Sequence, residues 1–248
     1  MTYNLIGVGN NAKTIKGDGS EYMTAIMYLK PHKTMWKGKV RNICPMADKA
    51  GCVEGCLNTA GRGVMSNVQA GRLRKTELLF EDRKHFINLL KTDITVFNRR
   101  TINRAIQPCV RLDGTSDNQF ERFGLMEQFP AVQFYDYTKI VKRAYKKLPS
   151  NYHLTLSYSE ANPEYANEVK QAVDDTGVNM AVVFGVKSAD DFPATFLGLP
   201  VINGDKDDLR FLDPTHCVVG LIAKGKAKKD TSGFVVHPNE DGTWGRLA

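Results

Sequence analysis

What most constrains this chain is a pattern that recurs along its length: a short β-type run, a polar loop, then a helical stretch. The runs TAIMYLK (24–30), PCVRLD (108–113), VQFYDY (132–137), HLTLSYS (153–159), MAVVFGV (180–186), PVING (200–204) and VVGLIAK (218–224) have the length and composition of strands. Between them, residues 64–104 are long enough for two helices and 124–129 form a short one closed by Pro130. Residues 140–148 set Lys and Arg opposite Ile, Val and Ala, and a helix with Pro163 near its first turn stops before Gly177. Strands alternating with helices predict an α/β fold with parallel strands joined by crossover helices. Six or seven such units fit a partial (β/α)6-type, TIM-like barrel better than a small doubly wound sheet. No Pro/Gly/Ser-rich linker divides residues 1–248, so a single domain is expected.

Polar residues gather where the runs end: Asp113 to Asp117, then Asp136 with Thr138, then Ser157, Ser159 and Glu160, then Lys187, and finally Asp205, Asp207 and Asp208. Parallel α/β folds build their ligand sites at the carboxyl ends of strands. The same residues are also what loops and helix N-termini favour for structural reasons.

The segment NICPMADKAGCVEGCLNTAGRG (42–63) carries the strongest local signal. Its spacing, C-x7-C-x3-C, brings Cys44, Cys52 and Cys56 together in a glycine-rich loop. Thiolates are soft ligands that suit iron–sulfur clusters or zinc. Structural zinc wants four ligands, so a fourth would have to come from His32, His216 or an acid. Three thiolates on a cluster leave one metal position open to a small molecule. Cys109 and Cys217 stand alone in apolar stretches and are expected in the core. An odd count of five cysteines argues against a disulfide framework.

RLDGTSD (111–117) offers a glycine for close backbone approach, with Thr115, Ser116 and Asp117 as hydrogen-bonding groups. Asp136 and Glu160 are candidate acid/base or positioning groups. The chain carries 34 Lys and Arg against 27 Asp and Glu, a formal charge of +7, with short basic groups such as AKGKAKKD (223–230). A positive field draws polyanions, which makes nucleic acid or a nucleotide the expected partner. No apolar run has the length of a membrane span and the N-terminus lacks a signal-peptide core, so a cytoplasmic protein with no membrane association is expected. P-loop, nucleophile-elbow, H-E-x-x-H and paired C-x-x-C signatures are absent.

Three cysteines after a first strand, followed by a second strand ending in a glycine-containing polar loop, resemble the radical S-adenosylmethionine (SAM) superfamily. That resemblance implies a partial barrel in which Cys44, Cys52 and Cys56 hold a [4Fe–4S] cluster and SAM occupies the open iron. Gly114, Thr115, Ser116 and Asp117 would then bind SAM, with Ser157 and Ser159 contributing from the fourth strand. It also implies an electron donor such as flavodoxin. The usual spacing in that superfamily is C-x3-C-x2-C, so this loop is longer. More narrowly, CLNTAGRG, RLDGTSD, QFYDYTK, NYHLTLSYSE and DLRFLDP resemble motifs of an uncharacterised bacteriophage family. A phage enzyme acting in the host cytoplasm on DNA or a nucleotide, such as a hypermodified thymidine, is the expectation that follows. Two alternatives stay open. One is a magnesium-type hydrolase or nuclease using Asp113, Asp117, Asp136, Glu160 and Asp205. The other is a zinc-containing nucleic-acid-binding phage protein.

Overall fold

In the computed structural model of the chain, residues 4–9 and 21–245 are described. The strands are β1 (Ile6–Val8), β2 (Tyr22–Met27), β3 (Lys33–Trp36), β4 (Lys39–Asn42), β5 (Gln107–Arg111), β6 (Gln133–Thr138), β7 (Tyr152–Ser157), β8 (Met180–Phe184), β9 (Thr195–Phe196), β10 (Leu199–Asn203), β11 (Val218–Ile222) and β12 (Val235–Val236). The helices are α1 (Ser66–Glu81), α2 (Arg83–Ile102), α3 (Leu125–Gln128) and α4 (Pro163–Thr176). All the expected strands are present, each beginning within about two residues of where its apolar run begins.

Ten strands form one sheet in the order β1-β2-β5-β6-β7-β8-β11-β10-β9, with β12 also paired to β8. From β2 to β10 every neighbouring pair is parallel; β1 and β9 run antiparallel at the two ends. The parallel α/β expectation therefore holds. Among the described residues no closed barrel forms: the sheet ends in two short reversed strands, β1 and β9, which do not pair with each other.

From β2 to β8 the strands follow chain order, and crossovers that step one way with one hand leave their helices on one face. Side-chain alternation agrees. Ala25, Val110, Phe134 and Leu154 pack with Phe86, Leu90, Ile94 and Phe97 of α2. Leu156, Met180 and Val182 pack with Val169 and Val173 of α4 on that same face. Helix α4 is well specified locally: the Asn162 side chain accepts the Tyr165 N–H at 2.9 Å, Pro163 opens the first turn, and Gly177 ends it with φ +70°. Residues 140–148 form only a 3₁₀ turn at Val141–Arg143. There the fully buried Arg143 is drawn to Glu121 at 3.0 Å and Asp117 at 3.4 Å, and these long-range ion pairs override the amphipathic pattern.

The opposite face carries Cys109, Arg111, Tyr135, Tyr137, His153 and Thr155, and the segment 207–213 lies over part of it. Arg111 Nη1 meets Asp208 Oδ2 at 2.6 Å, and the Tyr135 hydroxyl donates to Asp208 at 3.3 Å. Arg210 donates to the Asp207 carbonyl at 2.9 Å and its carboxylate at 3.1 Å. Burial pushes the Asp213 carboxyl up to about 6, against the pull of Arg210. A folded-state value above the unfolded value of about 3.9 means the native state holds its proton longer. This group's contribution to stability is full below about pH 4 and declines as pH rises toward 6. Asp213→Asn should flatten that decline, by about 2–4 °C in Tm for a difference on the order of 1 kcal/mol, measured by thermal melts at pH 4.5 and 6.5. An unchanged slope would mean that Asp213 titrates as an ordinary surface acid.

Candidate metal centre at the strand ends

The cysteine loop is laid across the C-terminal ends of the central strands. The Asp117 N–H donates to the Ile43 carbonyl at 2.9 Å, and Ser159 Oγ donates to the Ala50 carbonyl at 2.7 Å. Gly51 makes the docking possible. Its φ is +62°, and a Cβ there would stand 2.4 Å from Ala161 Cβ. Gly51→Ala should cost at least about 1–2 kcal/mol from the backbone alone, roughly 2–8 °C in Tm. It should also speed alkylation of Cys52 under a thiol reagent; unchanged melting and labelling would refute this account of the loop.

Each thiol has its own setting. The His32 N–H donates to Cys44 Sγ at 3.3 Å, and this thiol lies 3.7 Å from the Thr115 carbonyl. The Asn58 N–H donates to Cys56 Sγ at 3.5 Å. Cys52 Sγ donates to the Ala47 carbonyl at 3.7 Å and packs among Ala223, Ala227, Phe234 and Val235. Cys44 and Cys56 are half-buried, and the surrounding protein pushes the Cys44 thiol up to about 12 and raises Cys56 as well. The amide donors work against that burial.

Lys139 ties the three together. It follows the last residue of β6 directly, at the C-terminal end of the strand. Burial disfavours its charge, yet Cys52, Asp117, Cys56 and Cys44 together outweigh burial and raise its pKa. The cation and the sulfur charges are thus conditional on one another: the ammonium is most stable when the sulfurs are thiolates, as metal-bound sulfurs are. Beside this group the Arg72 guanidinium lies 4.9 Å from the Tyr28 ring centre. Tyr28 in turn occupies the space a Cβ at Gly114 would fill, at 2.7 Å.

The strand-end region therefore holds Cys44, Cys52, Cys56, Gly114, Thr115, Asp117 and Ser159. Several of the polar groups serve the loops themselves. Thr115 Oγ1 donates to the Leu29 carbonyl at 2.6 Å, and Ser116 donates to Asp113 at 2.6 Å. Asp117 accepts from Thr138 at 2.8 Å and from the Lys139 N–H at 2.7 Å. Asp136 lies on the helix-side face, where it accepts the Asp113 N–H at 2.9 Å and the Leu112 N–H at 3.3 Å. Glu160 accepts from the Tyr158 hydroxyl at 3.2 Å. Ser157 shares the inner face with Thr155, at the top of β7. Beyond Ser157, β12 takes over pairing with the end of β8, so β7 and β8 separate at this edge.

Among the described residues no three His, Cys, Asp or Glu side chains gather closely enough for a single metal ion. A cleft of about 640 Å³ lies at the opposite, N-terminal strand ends, lined by residues including Glu21, Tyr22, Gln107 and Phe211. It is remote from the thiols. Tyr28 and Lys139 belong to no ligand-binding motif, and Arg72 stands out in the sequence only within the short basic group Arg72, Arg74 and Lys75.

Residues 4–238 match the family described as Gene product 88, a family of phage proteins. The chain belongs to that family. No curated protein and no solved structure matches it. No helix of the described residues is long and apolar enough to cross a membrane.

Proposed function

We propose that the protein is a radical SAM-type enzyme in which Cys44, Cys52 and Cys56 hold a [4Fe–4S] cluster. One observation carries the reading. Three soft thiols lie on one loop, docked across the C-terminal edge of a parallel sheet whose helices lie on one face. Three thiolates are the donor set of a cluster with one open iron. When bound, such a cluster supplies the electron that cleaves SAM to a 5′-deoxyadenosyl radical.

The chain's own part is binding, charge balance and dryness. The N–H groups of His32 and Asn58 donate to sulfur, and Lys139 offsets thiolate charge. Ala223, Ala227 and Phe234 keep water from Cys52. Gly114 to Asp117, with Ser157 and Ser159, form the side on which SAM would rest. Asp136 and Glu160 act in this reading as positioning groups, holding the 112–113 backbone and Tyr158. The substrate would be phage DNA or a nucleotide, with an electron donor of the flavodoxin kind. A divalent-metal hydrolase is the weaker reading, because Asp113, Asp117, Asp136 and Asp205 spend most of their oxygens on protein donors.

Anaerobic reconstitution with iron and sulfide tests the proposal. It should give a brown protein with about four irons per chain, broad absorbance near roughly 400 nm, and a spectrum perturbed by SAM. A protein that stays colourless, or that carries stoichiometric zinc and ignores SAM, would reject it; the second result would favour the zinc-containing nucleic-acid-binding protein.

A further inference from the structure

Between β2 and Cys44 the chain makes a two-stranded sheet of its own, β3 paired to β4, separate from the main sheet. Its sequence, KTMWKGKVRN (33–42), contains Lys33, Lys37, Lys39 and Arg41 and no acid. Lys37 and Gly38 both have positive φ, +46° and +75°, the pattern of a tight turn whose twist matches the strands. The Ile43 N–H donates to the His32 carbonyl at 3.2 Å and closes the base. The ribbon is therefore a defined element, anchored where β2 ends and the cysteine loop begins.

Its surface is not explained by the fold. All four residues of β4 are exposed. Met35 and Val40 face each other across the strands and are 66% and 58% exposed. Trp36 is half-buried under the Lys37 ammonium, 5.2 Å from its ring centre. Lys33 and Lys37 pair with Asp48 and Glu81, whereas Lys39 and Arg41 form no ion pair among the described residues. Cations interleaved with apolar and aromatic side chains suit a ligand that offers closely spaced phosphates beside flat apolar faces.

We propose that the β3–β4 hairpin is a nucleic-acid-binding arm at the rim of the thiol site. Lys39 and Arg41 contact phosphates; Trp36, which shares their face of the ribbon, contacts sugars and bases. This goes beyond the cluster reading and does not depend on it, so the metal-free full chain is the protein to use. The test is fluorescence anisotropy with a short single-stranded oligonucleotide and its duplex across a salt series, with phosphatidylserine vesicles as a third arm. Wild type should bind an oligonucleotide with affinity that falls as salt rises. The double variant K39E/R41E should bind at least about tenfold more weakly, with a salt slope reduced by roughly 1.4–1.8. W36A should weaken binding with the slope unchanged. Preference for the single strand would indicate contact with unstacked bases, and preference for the duplex a ribbon seated in the major groove; both support the proposal. No oligonucleotide binding, an unaffected K39E/R41E variant of wild-type Tm, or binding to vesicles alone would overturn it. Iron uptake by K39E/R41E should equal that of wild type, which separates failure of the arm from failure of the metal centre.

Discussion

Asp208→Ala should destabilise the protein by about 3–5 kcal/mol, a fall of roughly 6–20 °C in Tm. The carboxylate lies 2.6 Å from Arg111 Nη1, with both side chains almost wholly out of water, and it also accepts the Tyr135 hydroxyl. Alanine would strand a guanidinium that cannot shed its proton, against the rings of Tyr135 and Tyr137 at 5.6 and 5.0 Å. The cost is that of a buried charge left unpaired, not of one hydrogen bond. Chemical denaturation measures it, and the double replacement Arg111→Met with Asp208→Leu should recover much of the loss, because an apolar pair of similar volume removes the charge as well. A loss under about 1 kcal/mol for Asp208→Ala would show that 207–213 is a loose flap.

That ion pair also shows where reading the sequence stops. DLRFLDP looks like an acid-rich loop, and nothing local says that Asp208 crosses to Arg111 on β5, a partner 97 residues away. The seven strands were legible because each is an apolar run of strand length bounded by turn residues. The β3–β4 hairpin was not, because its pattern is basic and its Met35 and Val40 face solvent. Asp113, Asp117 and Asp136 show the converse limit. Acids at strand ends were expected to meet a ligand, but backbone N–H groups and hydroxyls of the same loops compete for them. Composition reports that polar groups are present at the mouth and is silent on which are already engaged. The cysteines were legible as a group, while Lys139, their shared neighbour, was concealed as one lysine among many.

The second large effect concerns those cysteines. In the triple variant C44S/C52S/C56S, iron retained after anaerobic reconstitution should fall from about four per chain to near zero. The single variant Cys52→Ala should lose most of it, since one of the three thiolates that would hold the cluster is gone. Cys109→Ser and Cys217→Ser serve as controls. Cys109 packs with Tyr135 and Leu209 on the inner face, and Cys217 Sγ donates to the Pro214 carbonyl at 3.2 Å. Neither belongs to the loop, and both variants should keep wild-type iron. Equal iron in the triple variant and wild type would place any cluster elsewhere. A thermal melt of each metal-free variant separates ligand loss from misfolding: serine at Cys44 and Cys56 is nearly isosteric and should shift Tm little.

The placement of all packed helices on one side has a consequence for biosynthesis. Part of the other side of the sheet is covered by chain outside the packed helices, and the piece over Arg111, Tyr135 and Tyr137 arrives only with residues 207–213. Until that stretch has left the ribosome, strands β2 to β8 must wait with a charged arginine and two tyrosines uncovered. Chains terminated near residue 200 should be captured by chaperones or degraded, whereas chains that extend past residue 213 should not.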